Sequence, residues 1–128
     1  MTTKHNKQRY QELLELMQEY GKLSPKTMGT YNRLHRVVTE DGALDYKIKE
    51  LMAFAIAVAL RCDACIAYHI NASLEAGASD EEIIEAIGVA ILMSGGPGVM
   101  YGVDALGALD EIKALRAEQA QAGGPVEI

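Results

Sequence analysis

The residues of this chain best suited to chemistry stand together in nine positions, "RCDACIAYH", Arg61 to His69. Cys62 and Cys65 are three apart, and His69 follows four residues after Cys65. They are the only two cysteines among 128 residues. Three kinds of chemistry are open to this pattern: a metal centre, a structural bridge, or thiol–disulfide exchange.

If residues 62–76 are helical, Cys62, Cys65 and His69 lie on one face, because offsets of 3 and 7 are close to whole turns. The cysteines then fall at the start of that helix. Unpaired N–H groups and the positive end of the dipole favour a thiolate there, and Arg61 adds to the effect. Thiolate is the nucleophilic form, and a second thiol one turn away can resolve an oxidised first thiol as a disulfide. His69 is the better placed base for Cys65. A lone imidazole needs an orienting partner. Glu50 is the candidate, because it sits where the preceding helix turns from polar to apolar. Burial there is expected to raise its pKa, which suits proton relay. The bland alternative is a zinc site, in which Cys62, Cys65 and His69 supply three ligands and Glu50 or another chain the fourth. His5 and His35 have no chemical company in the sequence and read as structural or solvent-facing. "GGPG" has the glycines of a phosphate loop but lacks its Lys and Ser/Thr.

Helices must position these groups. Tyr10, Leu13, Leu14 and Met17 repeat at helical spacing, with Gly21 as the stop. Ser24 and Pro25 open a second helix as N-cap and first-turn residue, with Met28, Tyr31, Leu34, His35 and Val38 on or near its inner face. Asp45 caps a third, "YKIKELMAFAIAVALR", which is apolar nearly all round after its first turn and is expected to be buried on all sides, by its own domain or by a partner subunit. A fourth helix follows the cysteines to Gly77. Ser79 and Glu82 match the capping box of a fifth, which ends at "GGPG". A last helix carries Val103, Leu106, Leu109, Ile112 and Leu115, and residues 119–128 read as a frayed tail. No segment has strand alternation. The prediction is one all-α domain over 1–128, a compact bundle of about six helices, with N-terminal helices over 6–40 and the motif-bearing core over about 43–109.

Bulk properties narrow the function. The chain is 49% hydrophobic and 23% charged, so it can bury a real core. A net charge of -6, with no Lys/Arg run, argues against nucleic acid and anionic membrane surfaces as partners. The longest apolar run, Leu51 to Leu60, falls short of the roughly 20 residues of a membrane span. The polar start "MTTKHNK" has no signal-peptide core. These features predict a soluble cytoplasmic protein, whose cysteines are reduced, catalytic or metal-binding rather than a secretory staple.

The segment "KELMAFAIAVALRCDACIAYHINASLEAGASDEEIIEAIGVAILMSGGP" resembles the core of the carboxymuconolactone decarboxylase superfamily, in its alkylhydroperoxidase (AhpD-like) branch. The resemblance is carried by Glu50, eleven residues, Cys62-x-x-Cys65, three residues and His69, followed by the capped "G-x-S-D-E-E-I-x-E-A" and "GGP". It implies an all-helical fold assembled as trimers or hexamers, and a thiol-based peroxidase or disulfide reductase. It further implies that Cys65 attacks the peroxide, that Cys62 resolves the sulfenic acid, and that His69 and Glu50 relay protons. No metal or bound cofactor is implied; an external dithiol, a lipoyl group or a thioredoxin-like protein, restores the reduced form. Some relatives carry a histidine just before the second cysteine, where this chain has Ala64. The lactone decarboxylases of the superfamily typically lack the cysteine pair, so its presence argues against decarboxylation. A non-catalytic redox sensor or adapter is the remaining alternative.

Overall fold

The structure, a computed structural model, describes residues 3–123, with side chains from residue 8 onward. Among the described residues there are six α-helices and no strand: α1 Thr3–Leu23, α2 Pro25–Thr39, α3 Tyr46–Leu60, α4 Asp63–Glu75, α5 Asp80–Ser94 and α6 Gly96–Gln121. The all-α bundle predicted from the sequence is the fold found.

Local signals explain most boundaries. Asp45 accepts a hydrogen bond from the Ile48 N–H at 2.9 Å and so caps α3. The Ser79–Glu82 capping box at the head of α5 is complete, with bonds of 3.1 and 3.0 Å. Two expectations shift. Gly21 does not end α1, which runs on to Leu23; the break comes at Ser24, where the following proline disfavours helical backbone. Ser24 makes no side-chain cap; its hydroxyl donates to Thr27 Oγ1 instead, at 2.9 Å.

The turn from α3 to α4 sets the position of the cysteines. Arg61 takes a left-handed backbone conformation, φ 58. Its N–H bonds Val58 O, and the Cys62 N–H bonds Ala57 O, closing the last turn of α3. The chain therefore reverses in two residues, and Cys62 becomes the N-cap of α4 instead of lying inside it.

The core lies around α3, which packs on α4, α5 and α6. Phe54 and Val58 meet Ile66 and Ile70 of α4, Ile83 and Ile87 of α5, and Leu109 and Ile112 of α6. Helices α5 and α6 approach so closely that a Cβ on Gly102 would stand 2.7 Å from Ile87 Cγ2. Helix α1 packs against α4 and α6 and sends Tyr10 into the core. Ion pairs link Lys47 to Glu82 at 2.9 Å and Arg116 to Glu75 at 3.0 Å; partly exposed pairs near the surface contribute little each.

The apolar faces are only partly buried. No residue of α2 is buried, and Tyr31, Leu34 and Val38, expected on its inner face, are more than half exposed. Helix α3 is not covered on all sides either: Met52, Ile56 and Leu60 form an exposed stripe. On α6, Leu109, Ile112 and Leu115 are core residues, while Val103 and Leu106 face outward. Residues 119–121 are helical rather than frayed, and the end of the predicted tail, 124–128, lies outside the described residues. Among the described residues no helix is long and apolar enough to cross a membrane.

Candidate functional site

Each sequence-predicted site residue is placed by a different feature of the helices. Glu50 sits one turn into α3, where the helix leaves solvent and enters the core, and it is fully buried. Cys62 and Cys65 occupy the N-cap and first turn of α4 and are joined as a disulfide, so the oxidised state is the one described. The backbone N–H of Cys65 donates to Cys62 Sγ at 3.3 Å, which makes the sulfur itself the capping group of the helix. His69 lies one turn further along α4 and points its Nδ1 at Glu50 Oε2, 2.7 Å away.

A fifth residue joins them. His35, which has no chemical company in the sequence, places Nε2 at 3.2 Å from the other oxygen of Glu50, Oε1. The buried carboxylate thus spans two imidazoles, one from α2 and one from α4. Nothing local in the sequence marks this, because fifteen residues and a turn separate His35 from Glu50. The available signal is a histidine on the otherwise apolar side of α2, read together with a helix that carries a lone carboxylate inward. His5 falls among residues whose side chains are outside those described.

The electrostatics of Glu50 run opposite to the sequence expectation. Burial pushes its carboxyl up, but the hydrogen bond and charge of His69, followed by those of His35, outweigh burial and hold it below the ordinary glutamate value. Glu50 is therefore an anion, and an ionised carboxylate only accepts hydrogen bonds. Both facing ring nitrogens must carry a proton: Nδ1 of His69 and Nε2 of His35. In a neutral His69 the lone pair is then on Nε2, the nitrogen turned away from Glu50 and free to act as a base.

Cys65 and His69 line one cavity of about 190 Å³. Leu14 and Met17 of α1, with Tyr31 and His35 of α2, complete much of its wall. Such a volume is below the ordinary range for drug-sized ligands and suits a compact molecule with apolar parts. Tyr68 packs edge-on to both histidine rings, with centroids 5.0 Å from His69 and 5.8 Å from His35. Its phenol is pushed up by burial, then by Glu50 and Tyr31, so at neutral pH it is a proton donor and not a base. A larger groove of about 960 Å³ between α1, α2 and α4 is lined by polar and acidic groups such as Gln11, Glu15, Asn71 and Glu75, away from the sulfurs.

The zinc alternative needs both sulfurs and His69 as ligands, with Glu50 as fourth. Here the sulfurs are bonded to each other and Glu50 is engaged by two imidazoles. A disulfide and an imidazole that line one cavity are suited to reversible two-electron thiol chemistry.

Comparison with known proteins gives the relatives of the chain. The model of the carboxymuconolactone decarboxylase family matches residues 25–108, which include His35, Glu50, Cys62, Cys65 and His69. An uncharacterized protein of Cupriavidus necator is 35% identical over 105 residues, 80% of this chain and 93% of its own. Uncharacterized protein 4 in the cox locus of Paracoccus denitrificans is 43% identical over 79 residues, 62% of this chain and 71% of its own. Among solved structures, a carboxymuconolactone decarboxylase family protein of Legionella pneumophila superposes with a TM-score of 0.78 at 37% identity, covering 85% of this chain and 95% of that one. A family protein of Thermotoga maritima, for which involvement in an antioxidative response has been suggested, gives a TM-score of 0.75 at 31% identity, covering 94% and 99%.

Proposed function

Since this chain belongs to the carboxymuconolactone decarboxylase family, we propose that it is a thiol-dependent peroxidase that reduces alkyl hydroperoxides through a Cys62–Cys65 dithiol–disulfide cycle. The observation that carries this reading is the disulfide itself, with one of its sulfurs, Cys65, opening on a small cavity shared with the Glu50-held imidazole of His69. The antioxidative role suggested for the Thermotoga maritima relative is consistent with it.

In the reduced protein His69 Nε2 takes the Cys65 thiol proton. The thiolate attacks the terminal oxygen of the hydroperoxide; the S–O bond forms, the O–O bond breaks, and the alkoxide leaves with the proton from His69 as the alcohol. Cys62 then attacks the sulfenic sulfur; the S–S bond forms, and the hydroxyl leaves with the Cys62 proton as water. Two thiols and one hydroperoxide become one disulfide, one alcohol and one water. An external dithiol, of the lipoyl or thioredoxin-like kind, returns two electrons and two protons. The cycle as proposed calls for no metal or bound cofactor. Access favours Cys65 as the attacking thiol, since it lines the cavity, while Cys62 serves as the cap of α4.

The exposed apolar stripes on α2 and α3, including Leu34, Val38, Met52 and Ile56, support assembly as a homo-oligomer, a trimer or hexamer, that would cover them.

The test is a single-turnover titration of reduced protein with an organic hydroperoxide, followed by mass spectrometry of the Cys62–Cys65 peptide. Loss of two thiols per hydroperoxide and an internal disulfide are expected. C65S should consume none, and C62S should consume one equivalent and stop at the sulfenic acid. Equal turnover by wild type and both variants sinks the reading.

A further inference from the structure

The peroxidase reading assigns work to Glu50, His69 and the two cysteines, and leaves His35 without a task. Its position argues that it has one. Glu50 is fully buried, and its two oxygens are matched to two imidazoles from different helices. A carboxylate held only by His69 could rotate about its last bond and present either oxygen, at varying distance, to that ring. A second donor on Oε1 removes this freedom. Helix α2 has no buried residue of its own, yet it delivers His35 to the most buried ionised group described in the site.

We propose that His35 is a positioning residue of the dithiol site: its Nε2–H holds Oε1 of Glu50, so that Oε2 fixes Nδ1 of His69 and leaves Nε2 as the base nitrogen of the imidazole that lines the Cys65 cavity. The logic is that of an outer hydrogen bond that selects the tautomer and orientation of a working imidazole. Among the described contacts His35 makes no hydrogen bond to either sulfur and acts through Glu50. It also stands at a boundary, because His35 and His69 line both the thiol cavity and an open apolar groove formed with Leu34, Val38, Met52 and Ile56. The titratable groups that face it are Tyr10 of α1, Tyr31 of α2, Lys49 and Glu50 of α3, and Tyr68 and His69 of α4. Of these, only Glu50 bonds its ring nitrogen, at 3.2 Å, among the described contacts.

The functional consequence rests on the peroxidase reading, but the positioning does not, and the experiment keeps the two apart. Cys65 alkylation by iodoacetamide is followed from pH 5 to 9 in the C62S background, with His35 intact, as H35A and as H35Q; hydroperoxide consumption and thermal midpoint are measured with Cys62 present. Glutamine retains an N–H donor at a reach similar to Nε2 but cannot take up a proton. H35A is expected to slow both alkylation near neutrality and hydroperoxide consumption by roughly tenfold and to displace the acidic limb of the alkylation profile. H35Q should recover most of the rate. An H35A profile superimposable on that of intact His35, or an H35Q as impaired as H35A, overturns the proposal. If H35A does not fold, imidazole nitrogen NMR of the wild type decides: Nε2–H on His35 with Nδ1–H on His69 supports it, and the opposite tautomer on His35 overturns it. Wild type that ignores hydroperoxide while its alkylation profile still depends on His35 defeats the peroxidase reading and leaves the positioning role standing.

Discussion

Nδ1 of His69 lies 2.7 Å from Oε2 of Glu50, and that glutamate is fully buried. His69 sits one turn beyond the disulfide on α4, so an imidazole held by the Glu50 carboxylate of α3 and a redox centre share the opening turns of that helix. On the proposed reading, both the reactivity of Cys65 and the acid stability of the fold draw on the Glu50–His69 contact.

Glu50→Gln keeps the size of the side chain and removes its charge. One oxygen and one NH2 group then face two imidazole N–H groups, so one donor meets another and a histidine must change tautomer. We expect roughly a 100-fold loss of Cys65 reactivity toward hydroperoxide or alkylating agent at neutral pH. Stopped-flow consumption assays with reduced protein check this, and a loss below a few-fold would exclude Glu50 from the relay.

Stability should respond to acid through the same group. The folded carboxyl of Glu50 lies below its ordinary value of 4.5. A depressed carboxylate stabilises the fold fully above the unfolded value, and this contribution is lost as pH falls through the folded one. Urea midpoints measured downward from pH 6 should therefore drop below about pH 4.5 more steeply in wild type than in E50Q. Parallel curves for the two proteins would contradict the assignment.

Gly102 tests the packing that carries the site. An added Cβ would stand 2.7 Å from Ile87 Cγ2, between the closely packed α5 and α6. Gly102→Ala should destabilise by about 1–3 kcal/mol through overpacking, despite the better helix propensity of alanine. A thermal midpoint at or above that of wild type would show that the two helices can separate at little cost.

Tyr10 offers the reverse case. It is buried in the core beside the thiol cavity, and its hydroxyl has no hydrogen-bond partner among the described residues. Burial, then Tyr68, pushes its phenol far upward, so it stays neutral. Tyr10→Phe should leave stability unchanged or raise it by up to about 1 kcal/mol, read from denaturant midpoints. A clear loss of stability would reveal a hydrogen bond to the hydroxyl and contradict the expectation.

The residues that make the site divide by how far apart their signals lie. Cys62, Cys65 and His69 are legible because one helix brings them together at fixed spacing, and Glu50 because a single carboxylate interrupts an apolar helix. His35 is not legible, since its partner is reached only after a turn whose geometry depends on how α2 is laid on α3. The direction of the Glu50 pKa is hidden for the same reason: burial is visible in the sequence, but two imidazole donors are not. Helix boundaries follow capping chemistry at Asp45 and Ser79 and depart from it at Gly21, where a glycine inside α1 is no stop because Pro25 supplies a stronger one. The inward face expected of α2 is only partly covered: His35 reaches Glu50, while Tyr31, Leu34 and Val38 stay more than half exposed. An amphipathic stripe tells which side of a helix is apolar, not whether its own chain covers that side.

The sulfur of Cys62 caps α4 while bonded to a residue only three positions on. The two Cα atoms are 5.2 Å apart, close to the roughly 5 Å that a regular helix sets between residues i and i+3. Opening or closing the bond thus asks for almost no displacement of the main chain. Enzymes whose resolving thiol is distant must unravel a segment at each turnover and wait for it to return. In the proposed dithiol–disulfide cycle, both redox states would fit inside a single helical turn, with no segment to refold between them.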